Sequence, residues 1–502
     1  MKRTSSVILA IDQGTTGTRA LLYDLHGRIR GSAYQEFTQH YPHPGWVEHD
    51  AKEILHSALK VIARALSRAR VSSSKIAAIG ITNQRETSVL WERKTGRPVS
   101  RAIVWQDRRT APLCEELKRK GYEPLFRSRT GLVLDPYFSG TKIRWLLDHL
   151  SGLRRKAERG DILFGTMDTW LLWNLTGGRV HATDATNASR TLLLDLKKIS
   201  WDAEILKLLR IPRPILPEVH PSAFSFGKTS DAGPLKAGIP ICALVGDQQA
   251  ALFGQGCYQI GEMKNTYGTG CFVVVNQGKH YREPPRGLLG TLACDEWGKP
   301  AYAFEGAIFI AGAVIQWLRD GLQFIRKAAE TEKIARSLKD TNGVAVVPAF
   351  VGLGSPYWNP HVRGAIFGIT RGTRREHLIK AALESIAYQT ADVFETMSRG
   401  VGRRPPFLKV DGGATANNYL MQFQADLLGV PVLRSQMSEL TAWGAAKLAG
   451  IHSGFWKSVG EVDRFRRYQK FIPRMSSRER AERLRSWHEA VATLLGRFEN
   501  SP

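Results

Sequence analysis

Apolar residues follow two rhythms along the chain. Short apolar runs at 7–12, 18–24 and 76–82, bounded by Gly, Thr, Asp or Asn, predict β-strands. A Gly/Thr turn over 13–17 joins the first two, Leu25-His26-Gly27 turns the chain again, and 28–37 reads as a third, more polar strand. Then the rhythm changes. Ile54, Leu55, Ala58, Leu59, Ile62, Ala65 and Leu66 form a stripe at helical spacing and predict an amphipathic helix over 51–70. Asp50 stands at the N-cap position with Glu53 three residues on, the pattern of a capping box. Three antiparallel strands, a helix and a strand predict α/β layers around a mixed sheet.

A comparable unit opens near residue 256. Residues 261–278 read as strand, turn and strand around Tyr267-Gly268-Thr269-Gly270, which divides the chain into 1–255 and 256–502. Thr373 and Glu376 predict a capping box for a helix to about 399. A strand at 407–410 runs into Asp411-Gly412-Gly413, a helix at 417–428 is stopped by Gly429, and 430–433 is the next strand. A strand feeding a Gly-rich turn that opens a helix is a nucleotide-binding element of α/β proteins. No low-complexity linker separates the halves, so a cleft between two packed units is expected.

Composition narrows the class. The 502 residues, 43% hydrophobic and 23% charged, exclude a disordered tail or a small disulfide scaffold. The 71 basic against 46 acidic residues give +25, which predicts attraction to polyanions and says nothing about fold. Residues 452–502 carry eleven basic and six acidic residues, interleaved as on a solvated helix face. Five scattered cysteines without a CxxC pair predict a reduced, cytoplasmic compartment. Met1-Lys2-Arg3 precedes too short an apolar run for a secretory signal, and the 13 uncharged residues 306–318 are too few to span a bilayer. The final Asn500-Ser501-Pro502 is no peroxisomal address.

Several clusters could carry chemistry. In Asp12-Gln13-Gly14-Thr15-Thr16-Gly17, small residues let the backbone approach a phosphate. Asp12 is placed to hold Mg²⁺ directly or through water, and Arg19 to pair with an anion. The same turn fits an ordinary hairpin equally well. Thr82 to Thr87 puts donors and acceptors at a strand end, where Arg85 and Glu86 suit a polyol or form a surface ion pair. Asp247 follows an apolar strand and precedes a helix, as an N-cap or a general base does. His40, His43 and His49 crowd a proline-rich loop and lack a fourth ligand for zinc.

The ordered set of motifs resembles the FGGY carbohydrate kinases, and within them the members that act on glycerol. The resemblance is carried by AIDQGTTGTRALLYD from Ala10, GWVEHD from Gly45, ITNQRETSVLW from Ile81 and WQDRR from Trp105. It continues through TGLVLDPYFSGTKIRWLLD from Thr130, TDATNASRTLLLD from Thr183, GDQQAALFGQGC from Gly246 and NTYGTGCF from Asn265. EGAIFIAGAVIQWLRD from Glu305, SPYWNPHVRGAIFGITRG from Ser355 and DGGATANNYLMQFQADLLG from Asp411 complete it. It implies an α/β chain of two ribonuclease-H-like domains of the actin/sugar-kinase superfamily, each with a mixed central sheet, and a catalytic cleft between.

By that resemblance ATP, with Mg²⁺, and glycerol are the ligands, and a homo-oligomer, dimer or tetramer, is the expected assembly. Nucleic-acid binding and membrane insertion are not expected. Thr15, Thr16, Gly17 and Arg19 would face the phosphates, with Thr269 supporting them and Gly312, Gln316, Gly413 and Asn417 lining the rest of the nucleotide site. Arg85, Glu86, Tyr137, Asp247 and Gln248 would hold the hydroxyls between Trp105 and Phe272, with Asp247 as base. Gly17 stands where relatives often carry serine, which implies one hydroxyl contact fewer. A pentulose or gluconate kinase, and a non-catalytic actin-like protein, are the rival readings.

Overall fold

The computed structural model describes residues 6–499, so Met1-Lys2-Arg3 and Asn500-Ser501-Pro502 lie outside the described residues. Strands β1 (Val7–Gln13), β2 (Gly17–Tyr23) and β3 (Ile29–Glu36) form the expected antiparallel meander. Helix α1 (Ala51–Ala69) crosses it and β4 (Ile76–Asn83) returns parallel to β1. Asp50 caps α1 by accepting from the Lys52 and Glu53 N–H groups. Glu53 does not close the capping box; its carboxylate instead accepts from the Thr38 N–H and hydroxyl, tying α1 to the chain that leaves β3. With β5 (Ala223–Lys228) and β6 (Pro240–Gly246), the six strands order β5-β6-β4-β1-β2-β3. Helix α2 (Asp247–Gly254) follows β6 directly.

The second half repeats the plan. Strands β7 (Met263–Tyr267), β8 (Cys271–Gly278), β9 (Leu289–Cys294) and β10 (Pro300–Ile308) are antiparallel neighbours, and β11 (Leu408–Asp411) lies parallel to β7. With β12 (Val432–Ser435) and β13 (Tyr468–Phe471) the order is β9-β10-β8-β7-β11-β12-β13. Long helix α3 (Arg375–Val401) buries Ile379, Leu383, Ile386 and Phe394 in this half's core. The predicted Thr373–Glu376 box does not form. The Thr373 hydroxyl accepts from the Thr370 N–H within its own turn, and the Arg374 N–H donates to His377 Nδ1. Asn417 caps α4 (Asn418–Leu428) and Gly429 ends it at φ 64°. β12 starts two residues later than predicted: Pro431 has no N–H to donate, though its carbonyl accepts from Leu408.

One element crosses the division. Helix α5 (Leu440–His452), late in the chain, packs Trp443, Ala445, Ala446 and Ala449 on Ile8, Ala10, Leu21, Tyr23 and Ala78 of the first sheet. A Cβ on Gly444 would lie 1.9 Å from the Ala250 carbonyl oxygen, so only glycine lets α5 approach α2 this closely. The apolar stretch 306–318 is divided between the end of β10 and a short helix, Gly312–Gln316. Among the described residues no helix is long and apolar enough to cross a membrane.

Candidate active site

β1, β4 and β6 run parallel and end in register, with Asn83 opposite both Gln13 and Gly246. That alignment brings Asp12, Arg85 and Asp247 to one sheet edge, the edge at which parallel strands deliver their loops. Asp247 is the first residue of α2 and Gly246 is its N-cap, so the carboxylate is not spent on capping. Its Oδ1 accepts from the Gln248 N–H at 2.6 Å and meets Arg85 Nε at 3.1 Å, and its side chain is 30% exposed. Burial at the cleft floor raises the Asp247 pKa, while Arg85 draws it back.

Behind Asp247 lies a fully buried ion network. Both arms of the Arg85 guanidinium reach Glu305 on β10. Arg190 donates from Nε to Glu86 at 2.6 Å and from Nη2 to Glu305 at 2.9 Å. Burial pushes the Glu305 carboxyl up, but Arg190 and Arg85 more than offset it and hold it at about 2. Glu86 sits at φ 62°, rare for a residue with a side chain, at the apex of a three-residue turn closed by Thr87 N–H on the Arg85 carbonyl. Arg190 and Glu305 were not among the residues singled out in the sequence. Each is one charge in an apolar or hydroxyl-rich run, and nothing local distinguishes it from a surface ion.

The aromatic wall and the Gly/Thr turn are joined. Trp105 Nε1 donates to Thr15 Oγ1 at 3.0 Å, and its ring meets Tyr137 edge-on with centroids 5.5 Å apart. Thr16 is exposed at the tip of the turn. Arg19 pairs with Glu439, just before α5, and its guanidinium lies 5.1 Å from the Tyr34 ring centroid. A Cβ on Gly17 would stand 2.6 Å from both the Gln35 carbonyl oxygen and the Tyr34 hydroxyl. With Tyr34 and Gln35 so placed, position 17 has no room for a side chain. Gly17→Ser is expected to cost about 1–3 kcal/mol of stability through overpacking, read as a lowered melting temperature. Unchanged melting would contradict that packing argument.

The expected residues of the second half are more spread. Thr269 is exposed at the β7–β8 turn, and its carbonyl accepts from Ala311 and Ala313 where the chain enters the helix of Gly312. Gln316 is exposed on that helix. Gly413 lies after Asp411 with open space where a Cβ would point. Asn417 accepts from the Leu420 N–H and donates to Thr331, so its side chain serves the α4 cap. Phe272 is half-buried on β8, opposite Ala307 of β10. Gln248 is held by the buried Lys264 Nζ, which also donates to Thr266. Thus Asp12, Thr15, Arg85, Glu86, Trp105, Tyr137, Asp247 and Gln248 converge, while Gln316 and Gly413 are exposed and Asn417 is engaged at the α4 cap.

Asp12, the residue expected to hold a cation, carries a perturbed carboxyl. Burial first, then the field of Asp247, pushes its carboxyl up to about 7, with Arg19 opposing. Among the described residues no group of three or more His, Cys, Asp or Glu could hold a metal ion. A single carboxylate such as Asp12 would supply Mg²⁺ one oxygen, with waters and phosphate oxygens needed for the rest. Of the loop histidines, His49 bonds Gln39 and Gln84, and His43 packs on Trp46.

Comparison with known proteins follows the same outline. Residues 7–254 match the FGGY family of carbohydrate kinases, N-terminal domain, and 263–453 its C-terminal domain. The chain is 55% identical over 490 residues to glycerol kinase 2 of Thermotoga maritima, covering 97% of this chain and 99% of that one. It is 54% identical over 485 residues to glycerol kinase of Geobacillus kaustophilus, covering 96% and 98%. Among solved structures, Plasmodium falciparum glycerol kinase with ADP superposes with a TM-score of 0.93 at 36% identity, covering 98% of each chain.

Proposed function

The chain belongs to the FGGY family of carbohydrate kinases, and we infer that it transfers the γ-phosphoryl group of ATP to a terminal hydroxyl of glycerol, yielding sn-glycerol 3-phosphate and ADP. The observation that carries this reading is the Asp247 carboxylate. It is partly open beside Arg85 and close enough to Asp12 for each charge to be felt, with Arg85 and the Gln248 N–H on its Oδ1.

Asp247 accepts the proton of the attacking hydroxyl. Arg85 and the Gln248 N–H hold Oδ1, which leaves Oδ2 for that proton. An alcohol is far weaker an acid than a carboxylic acid, so the proton moves late, as the P–O bond forms. The γ-phosphoryl passes through a loose transition state, so positioning and charge stabilisation dominate. Thr15, Thr16, the backbone at Gly17, Arg19 and Thr269 serve the phosphates, and Gly312, Gln316, Gly413 and Asn417 the rest of the nucleotide. Arg85, Glu86, Tyr137 and Gln248 hold the hydroxyls, and Trp105 and Phe272 cover the carbon chain. A ligand lacking a hydroxyl would leave buried polar groups unpaired, which favours a three-carbon polyol. Mg²⁺, held by Asp12 and the phosphates, would offset the charge of the transferring group. Closure of 1–255 and 256–502 over the ligands would exclude water and suppress ATP hydrolysis.

We place this activity in the cytoplasm, a reading supported by five buried, unpaired cysteines. A homo-oligomer, dimer or tetramer, remains part of the reading and is checked by mass in solution. The decisive experiment is ATP-dependent phosphorylation of glycerol, dihydroxyacetone, D-xylulose and gluconate side by side. Glycerol should give the highest kcat/KM, and its losing that comparison would overturn the reading.

The raised Asp12 pKa adds a pH prediction. Below about pH 7 the folded chain holds a proton on this carboxyl, and a cation must displace it. Binding of Mg²⁺–ATP at pH 6 should release a proton, seen as a calorimetric heat that varies with buffer ionisation enthalpy. Affinity should fall up to about tenfold per unit below pH 7 and level off above it. Asp12→Asn should abolish the release; a proton count unchanged in that variant would assign the effect elsewhere.

A further inference from the structure

Two buried ions stand behind the polyol site without an assigned part in it. Arg190, in the loop after the Ala185–Ala188 helix, and Glu305, on β10, have side chains 0% exposed and are engaged with Glu86 and Arg85. With Asp247, Arg85 and Glu86 they form a row of alternating charge: Asp247, Arg85, Glu305, Arg190, Glu86. The direct contact between Arg85 and Glu86 is loose, 3.9 Å, so each is held chiefly through this outer pair. Arg190 Nη1 has no hydrogen-bond partner, but its guanidinium lies 5.2 and 5.5 Å from the ring centroids of Phe138 and Tyr137. It thereby touches two groups of the polyol site, Glu86 and Tyr137, at once.

The two halves of the chain meet in this row. Arg85, Glu86 and Arg190 come from the first, and Glu305 from an interior strand of the second, next to the edge strand β9. Glu86 also holds the one strained backbone conformation at the site, φ 62°, where its carbonyl accepts from Ser88 and Ser139 and its carboxylate from Arg190. A guanidinium forked onto a carboxylate fixes orientation as well as charge. We propose that Arg190 and Glu305 are positioning residues of the polyol site: they set where the Arg85 guanidinium and the Glu86 carboxylate stand, and Glu305 makes that setting depend on how the two halves sit together.

The proposal rests on the glycerol reading above, and its test separates the two. Glu305→Gln keeps the shape and removes the charge; Arg190→Lys keeps the charge and removes the fork; Glu305→Asp keeps the charge and shortens the reach. Each variant is purified, its melting temperature measured, and KM for glycerol, KM for ATP and kcat determined. Glu305→Gln and Arg190→Lys should raise KM for glycerol at least tenfold and leave KM for ATP within about threefold, and Glu305→Asp should recover part of the loss. Folded variants with unchanged KM for glycerol overturn the proposal. So does a parallel rise in both KM values, or failure of all three variants to fold, since either marks the network as purely structural. Absence of glycerol turnover in the wild type would instead overturn the functional reading.

Discussion

Asp247→Asn is expected to cut kcat by about 10²–10⁴-fold while the protein stays folded and still binds both ligands. Asparagine has nearly the same shape and can still face Arg85 and the Gln248 N–H, but it cannot take a proton. Stability should change little, because the side chain is 30% exposed and Arg85 retains Glu305 as its main buried partner. Single-turnover rates with glycerol and ATP, alongside a thermal melt, separate chemistry from folding. A variant that keeps more than a tenth of wild-type turnover would remove Asp247 from the proton transfer.

Arg85→Leu is expected to be the more damaging change overall. It leaves the buried Glu305 with only Arg190 and strips Asp247 of its cation. Breaking a buried pair from one side typically costs about 3–5 kcal/mol, because the remaining charge stays desolvated. Saturable glycerol binding should be lost as well. The sign with pH follows from Glu305, whose folded pKa of about 2 lies below its ordinary value of 4.5. Its stabilisation is complete above about pH 4.5 and fades as pH falls toward 2. The deficit of Arg85→Leu relative to the wild type should therefore narrow in acid. Denaturant melts at pH 7 and pH 3 check this; a deficit that is absent at neutral pH, or widens in acid, would contradict it.

Both expectations come from the join between local order and long-range contact. The β1–β2–β3 meander, α1 and β4 were legible because strand and helix periodicity are local, and Asp50 caps α1 as its position suggested. Capping boxes were less legible. Glu53 found its partner on a neighbouring segment and Thr373 within its own turn, because either kind of hydrogen bond competes with one to the helix end. The convergence of Asp12, Arg85 and Asp247 followed from three parallel strands ending in register, a relation that no local spacing encodes.

The sequence by itself determined the opening elements of each half, the two-part plan and the family of chemistry, since apolar periodicity, Gly-rich turns and ordered motifs all act over a few residues. Only the tertiary structure decided that α5 closes the first sheet, that Gly17 accompanies Tyr34, and that Arg190 and Glu305 lock Arg85 and Glu86 in place. The reason is physical. Each of these contacts joins residues distant in sequence, and a charge or a glycine shows its partner only when the chain has brought the partner to it.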